Sequence, residues 1–351
     1  MVRYLRLLLF PFSIIYGAVV IIRNILYDTG IFKAVRFNMP VISVGNLAIG
    51  GAGKTPLTEY LVRILGGNRI AILSRGYGRD TRGFIKAGVT DTASTIGDEP
   101  MQYFRKFPDV TIAVCENRVE GIDRLKEDHD VIILDDAYQH RRVIPGISLL
   151  VFEFRSLFRT QMLLPAGNLR EPFNGYKRAD VLLVSKAPVN LTEAQAAICE
   201  SRFDAGRKPV YSSITYGDLK GVFSDTSISW DTLTSNTEVL LLTGIANPDP
   251  LKEFISKKVR IKHHFDFPDH YKFKQKDIQA VKDMYFTLEG KEKIIITTEK
   301  DAQRLFSDTL NKLLLDLPVY YQPIEIELHE DGKRILEKKI IEYVASAKRN
   351  R

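Results

Sequence analysis

Cysteine is nearly absent from this chain. Its 351 residues include two, Cys115 and Cys199, far apart and in no metal-like spacing, which excludes a disulfide framework and a zinc site. A reducing, cytosolic setting fits that usage. Also missing are low-complexity segments, short repeats and a Lys/Arg-rich tail interleaved with aromatics. Nucleic acid is therefore not an expected partner, although the formal net charge is +7. The positive balance points instead to a phosphorylated substrate or an anionic lipid. No feature marks an obligate protein partner.

What is present is ordinary for a globular protein: 45% hydrophobic and 26% charged residues, enough for a sizeable core. The length suits two domains of roughly 150–200 residues each. The N-terminus stands apart. Leu7 to Ile22 carries no charge, and Arg3, Arg6 and Arg23 flank it. The run is short of the ~20 apolar residues of a spanning helix and contains Pro11. It is read as an anchor lying on a membrane surface, its basic flanks touching anionic headgroups. A buried core helix and a spanning segment are the other readings.

Beyond it, short apolar strands alternate with helical stretches. Strands are expected at 40–44, 69–73, 110–114, 130–134, 147–152 and 181–184, and helices at 58–65 and 119–126. A second run follows from about residue 211, with strands at 239–242, 259–265 and 294–297 and helices at 250–257 and 275–284. An extended stretch at 319–326 and a basic amphipathic helix at 333–347 close the chain. This alternation predicts an α/β fold: a P-loop domain with a parallel sheet plus a second, smaller α/β domain, preceded by a membrane-associated helix. The expected divisions are 1–30, 31–212 and 213–351.

Between the first strand and its helix the chain reads Ala48, Ile49, Gly50, Gly51, Ala52, Gly53, Lys54, Thr55. Glycines there let backbone N–H groups turn inward around phosphates, and the helix N-terminus adds partial positive charge. Lys54 would reach the β/γ phosphates and the Thr55 hydroxyl would hold Mg²⁺. The common pattern opens with Gly where this chain has Ala48. A second signal is the strand 131–134 running into Asp135 and Asp136, the Walker-B arrangement of carboxylates facing a metal. Gln139, His140, Arg141 and Arg142 follow. A GTPase-type switch would carry Asn/Thr-Lys-x-Asp after a strand. Val184 to Pro188 supplies the Lys without the Asp, and Thr298 to Asp301 has the parts in the wrong order.

Nine segments in order, VGNLAIGGAGKTP (44–56), SRGYGR (74–79), GDEP (97–100), ENR (116–118), DDAYQHRR (135–142), LPAGNLREP (164–172), GIANP (244–248), FPDHY (267–271) and TTEKDA (297–302), together closely resemble the tetraacyldisaccharide 4'-kinase family. The resemblance runs from the apolar N-terminus to about residue 305. It implies a kinase that uses ATP and Mg²⁺ to phosphorylate the 4'-hydroxyl of an acylated glucosamine disaccharide 1-phosphate, giving lipid IVA. It further implies a place on the cytoplasmic face of the bacterial inner membrane, and an active site in the cleft between two α/β domains.

Residue by residue, the resemblance gives Asp98 as the catalytic acidic residue and His270 as its partner. Asp135 and Asp136 become the metal-binding pair, and Asp136 and Arg170 also catalytic residues. Arg75, Tyr77, Glu99, Asn117, Arg118, Gln139 and His140 become acceptor or phosphate contacts. The usual Gly-Phe before Gln-His is here Ala137-Tyr138. On the residues alone, Asp98 and Glu99 before Pro100 also suit a helix start, and His270 also suits a surface loop. Two other functions stay open: a kinase of a soluble small molecule, and a GTPase-type switch.

Overall fold

The computed structural model describes residues 6–349, so Arg3, the start of the expected 1–30 anchor and the last two residues lie outside it. Two large sheets organise those residues, beside a two-stranded pairing of Val35–Arg36 with Val143–Ile144. The larger has nine strands in the order Ile324–Leu328, Val210–Tyr216, Val181–Ser185, Ile147–Glu153, Val41–Gly45, Val131–Leu134, Ile70–Ser74, Thr111–Val114 and Ile85–Lys86. Its interior pairings are parallel and only the two edge pairings are antiparallel. Val41–Gly45, Ile70–Ser74 and Val131–Leu134 are buried at every residue, as continuous apolar strands covered on both faces must be.

The Lys54–Ile64 helix covers one face with Leu57 and Leu61, and the Arg118–Leu125 helix covers the other with Ile122 and Leu125. Each pair sits at the three- or four-residue spacing of a helix face. The strand before the glycine loop lies between Ile147–Glu153 and Val131–Leu134. Its carboxyl end therefore opens where the chain order reverses, the place where α/β sheets leave a crevice.

The smaller sheet has six strands, with Val319–Gln322 and Lys293–Thr298 at its centre and Glu238–Thr243 beside them. The stretch expected as extended over 319–326 forms two strands divided at Pro323. Val319–Gln322 pairs with Lys293–Thr298, and Ile324–Leu328 pairs with Val210–Tyr216 in the large sheet. Proline has no N–H for a ladder and sits at the changeover. The C-terminal helix Glu330–Arg349 then buries Leu336, Ile340 and Val344 in the large-sheet core. The chain thus leaves the large sheet after Tyr216 and rejoins it at Ile324. This differs from an undivided 213–351 unit, because the apolar face of the last helix completes the first sheet's core.

The helix Phe10–Asp28 lies against the large-sheet body along one side. The Ser13 hydroxyl donates to Leu163 O and accepts from Ala166 N, each at 3.0 Å. Tyr16 Oη donates to Arg170 O at 2.7 Å, and Arg23 donates to Gln139 O at 2.6 Å. Gly17 lets the helix approach closely, since a Cβ would stand 2.7 Å from Leu163 Cδ1 and make that side chain shift. The opposite side, with Phe12, Ile14, Ile15, Val19 and Ile22, is exposed. Among the described residues it is the one helix long and apolar enough to cross a membrane.

Candidate active site

The glycine loop spans the gap between Gly45 and Lys54. Gly50 and Gly53 take left-handed φ angles of 111° and 89°, which an L side chain rarely adopts. At Gly50 and Gly51 an added Cβ would meet nothing within 4 Å, whereas at Gly53 it would press on Ser185 at 3.2 Å. Ser185 Oγ donates to Ala52 O at 2.6 Å and so ties the loop to the end of Val181–Ser185, two strands along the sheet. Ala48 pairs instead with Leu169 in an isolated antiparallel bridge, and Ile49 N donates to Asn168 O. An extended, bridged residue needs no glycine, which accounts for the departure at that position. Lys54 and Thr55 open the following helix, both half-buried, and Lys54 Nζ donates to Asn46 Oδ1 at 3.2 Å.

Asp135 and Asp136 stand beside this loop. Asp136 has a left-handed φ of 46°, a conformation that Asp tolerates better than most residues. Its carboxylate receives both guanidinium nitrogens of Arg170, at 2.8 and 3.1 Å, and lies 3.6 Å from Lys54 Nζ. Arg170 also donates to Asn46 Oδ1. Burial raises the Asp136 carboxyl, but Lys54 and Arg170 outweigh it and hold the group below its ordinary value. Asp135 has no such partner. It is 3% exposed, its Oδ1 is buried without a hydrogen bond, and burial with the adjoining Asp136 charge pushes it up to about 7.

Asp98 begins the helix Asp98–Lys106. Its Oδ2 receives His270 Nδ1 at 3.0 Å and Arg304 Nη2 at 2.6 Å. Burial acts to raise this carboxyl, yet the His270 and Arg304 hydrogen bonds lower it to about 2. The pairing expected between Asp98 and His270 is therefore present in the geometry, across 172 residues of sequence. His270, at φ 59°, belongs to the small-sheet side, and Tyr77 packs edge-on to its ring. The Glu99 charge adds a smaller upward push on Asp135, after burial and Asp136.

The remaining expected residues fall in different places. Arg75 and Tyr77 are exposed. Asn117 keeps a buried Oδ1 without a partner. Gln139 donates to Asn46 O and to Glu171, each at 2.9 Å. His140 is lowered to about 4 by burial and then by Arg118, Arg142, Arg23 and Arg75, so it is neutral at physiological pH. Arg118 is only 2% exposed and donates to the Cys115, Glu116 and Asp135 carbonyls. It lies beneath the carboxylate pair and fixes the strand end that carries it.

A family model described as Tetraacyldisaccharide-1-P 4'-kinase matches residues 5–341. The chain belongs to the tetraacyldisaccharide-1-P 4'-kinase family. Among curated relatives, the tetraacyldisaccharide 4'-kinase of Bacteroides thetaiotaomicron is 42% identical over 97% of this chain and 94% of that one. The kinase of that name from Flavobacterium psychrophilum is 41% identical, covering 99% of each chain. The crystal structure of the "apo" form of LpxK from Aquifex aeolicus in complex with ATP superposes with a TM-score of 0.76. That pair is 30% identical, over 97% of this chain and 99% of that one. The resemblance read from the ordered segments thus holds across nearly the whole kinase chain.

Four further side chains join this family's motif residues, and none was singled out from the sequence. Asn46 and Glu171 bridge the glycine loop, Gln139 and Arg178. Lys300 and Arg304 hold His270 and Asp98. The last two lie four residues apart in Glu299–Leu305 and share one helix face, but their partners come from distant segments and nothing local marked them.

Proposed function

We propose that the chain transfers the γ-phosphoryl group of ATP to the 4'-hydroxyl of a tetraacyldisaccharide 1-phosphate, giving lipid IVA, while its N-terminal helix rests on the cytoplasmic face of the inner membrane. One observation carries this reading. A phosphate loop whose Lys54 lies 3.6 Å from Asp136 occurs together with a carboxylate, Asp98, that His270 holds at 3.0 Å.

The residues present fit ATP and Mg²⁺. The open space at Gly50 and Gly51 leaves room for phosphates, and the unpartnered Asp135 Oδ1 is a buried acceptor suited to a cation. Among the described residues no three His, Cys, Asp or Glu side chains form a metal cage. Mg²⁺ needs none, because one or two carboxylates suffice when phosphates and water complete its shell. Thr55, Asp135 and Asp136 would hold it. When bound, Mg²⁺ neutralises charge on the transferring group.

The chain's own residues supply the rest. Lys54 and the loop N–H groups of Gly50, Gly51, Gly53, Lys54 and Thr55 bind phosphate oxygens, while Ile49 N–H stays on Asn168 O. Arg170 holds Asp136 and stands ready to offset charge. Asp98, fixed by two donors through Oδ2, leaves Oδ1 to orient the hydroxyl and accept its proton as the oxygen–phosphorus bond forms and the bond to the β-phosphate oxygen breaks. A loose transition state asks more of positioning than of base strength, so a carboxylate held near 2 suffices. The cationic surroundings of His140 suit the anionic acceptor.

Acyl chains keep the acceptor at the bilayer, and the exposed apolar side of Phe10–Asp28 meets it there. The hydrogen bonds of Tyr16 and Arg23 to the catalytic loops favour a helix lying on the membrane over one that leaves the protein to span it. Neither a soluble-substrate kinase nor a GTPase-type switch is favoured within this family. The test is transfer of labelled phosphate from MgATP to a lipid A disaccharide 1-phosphate in detergent micelles, with Lys54→Ala as control. Label on the lipid from wild type alone is expected; no label with ATP binding intact would reject the acceptor.

A further inference from the structure

His270 has a defined neighbour at each ring nitrogen. Nδ1 lies 3.0 Å from Asp98 Oδ2, and Nε2 lies 3.0 Å from Lys300 Nζ, with Asp269 Oδ2 beyond hydrogen-bond reach of Nε2 at 3.9 Å. Lys300 itself contacts Glu99 Oε1 at 2.9 Å and Asp269 Oδ1 at 3.5 Å. Two carboxylates keep this amine an ammonium, with three donors and no acceptor. The contact with Nε2 therefore has one direction: Lys300 gives the hydrogen and Nε2 the lone pair. The imidazole proton is left on Nδ1 and is donated to Asp98.

We infer that Lys300 is a positioning residue for phosphoryl transfer, fixing His270 as the Nδ1–H tautomer so that His270 orients Asp98. This rests on the reading that the Asp98–His270 pair serves the acceptor hydroxyl. The second nitrogen of a histidine sets the tautomer of the first. Without the ammonium, the ring is free to carry its proton on Nε2. A bare Nδ1 lone pair then faces the Asp98 carboxylate, and the bond that aims Asp98 is lost. With Lys300 in place, Nε2 is occupied and His270 orients rather than accepts the proton. Arg304, one helical turn further on, holds the same Oδ2 from the other side. The helix Glu299–Leu305 thus reaches Asp98 by two routes, one direct and one through His270.

The test compares Lys300→Met, which removes the donor at similar length, with Lys300→Gln and Lys300→Arg, which keep an N–H. Nitrogen NMR of the His270 imidazole in the wild-type protein should place the proton on Nδ1, and a proton on Nε2 would overturn the inference. Lys300→Met should lower kcat by about 10–100-fold with KM for ATP and acceptor within about threefold, and the N–H variants should recover most of it. In a His270→Ala background the same substitution should change kcat by less than about twofold. An equal loss in both backgrounds, or full kcat in Lys300→Met, would also overturn it. Wild-type protein that phosphorylates no lipid acceptor would sink the reading of function instead, with the NMR result still deciding the tautomer.

Discussion

The Arg304 guanidinium lies 2.6 Å from Asp98 Oδ2 although 206 residues separate the two in sequence. Arg304 also reaches Asp301 at 2.7 Å and the Gly244 carbonyl at 3.1 Å. Both partners are nearly buried, with side chains 6% and 11% exposed. The contact joins the first turn of Asp98–Lys106 to Glu299–Leu305 of the small-sheet side. Removing one member of such a pair leaves a desolvated charge behind. Arg304→Met should therefore lower stability by about 3–5 kcal/mol, read by denaturant unfolding, and depress kcat. A variant as stable as wild type would show the pair to be ornamental.

Asp98 gives a signed pH dependence. Its folded value of about 2 lies below the ordinary carboxyl value of 3.8. Its contribution to stability is thus full above about pH 4 and lost as pH falls toward about 2. The stability gap between wild type and Asp98→Asn should be widest near neutrality and shrink over that acid window. A gap that stays constant down to about pH 2 would contradict the assignment.

Asp135 runs the opposite way. Raised to about 7, it favours the metal-free fold while protonated and costs stability as pH rises through that value. Asp135→Asn should stabilise the metal-free chain near pH ~8 by a few kcal/mol at most, while abolishing transfer. Because a cation requires the carboxylate, Mg²⁺ binding to wild type should strengthen from about pH 6 to about pH 8 with proton uptake by buffer. Calorimetry in buffers of different ionisation enthalpy would detect that proton, and none released would count against Asp135 as a ligand.

Arg170 grips Asp136 with two nitrogens. Lysine offers a point charge without the planar fork. Arg170→Lys should cut kcat by about 10–100-fold with little change in melting temperature. Lys54→Ala should cost at least as much as His270→Ala, since charge neutralisation outweighs base strength in this chemistry. Reversal of that order in parallel assays would falsify the ranking.

The exposed side of Phe10–Asp28 makes a further prediction. Replacing Ile14, Ile15 and Ile22, which are 58–63% exposed, by serine should leave the melting temperature unchanged. It should weaken binding to anionic vesicles by at least about tenfold, since each buried isoleucine contributes roughly 1 kcal/mol or more. Unaltered sedimentation with vesicles would remove the membrane reading of this helix.

The glycine loop and the paired aspartates were legible because their chemistry is local. Both rest on a strand end followed by a few residues, and strands were placed within about two residues wherever apolar runs were uninterrupted. The Glu193–Glu200 and Glu299–Leu305 helices carry polar faces and short apolar faces, and their periodicity gave no clear signal. The division at Pro323 was hidden because both halves of 319–328 are extended and only their pairing partners differ. Lys300 and Arg304 were hidden for another reason: their partners Asp98 and His270 come from distant segments. The Ala137-Tyr138 departure proves local too. Tyr138 donates its hydroxyl to Gly175 O at 2.6 Å and packs so closely on Gly45 that a Cβ there would stand 2.6 Å from its own.

Two crossings rather than one connect the sheets, near residues 216–219 and 322–324, and they run side by side. Gly217 N donates to Pro323 O at 3.2 Å, while Gln322 Nε2 and Trp230 Nε1 both donate to Gly217 O, at 2.7 and 3.1 Å. A single thread would let the small sheet swivel freely. A doubled, cross-braced one resists twist, as a door hung on two hinges does. The same bracing keeps Arg304 and His270 in register with Asp98.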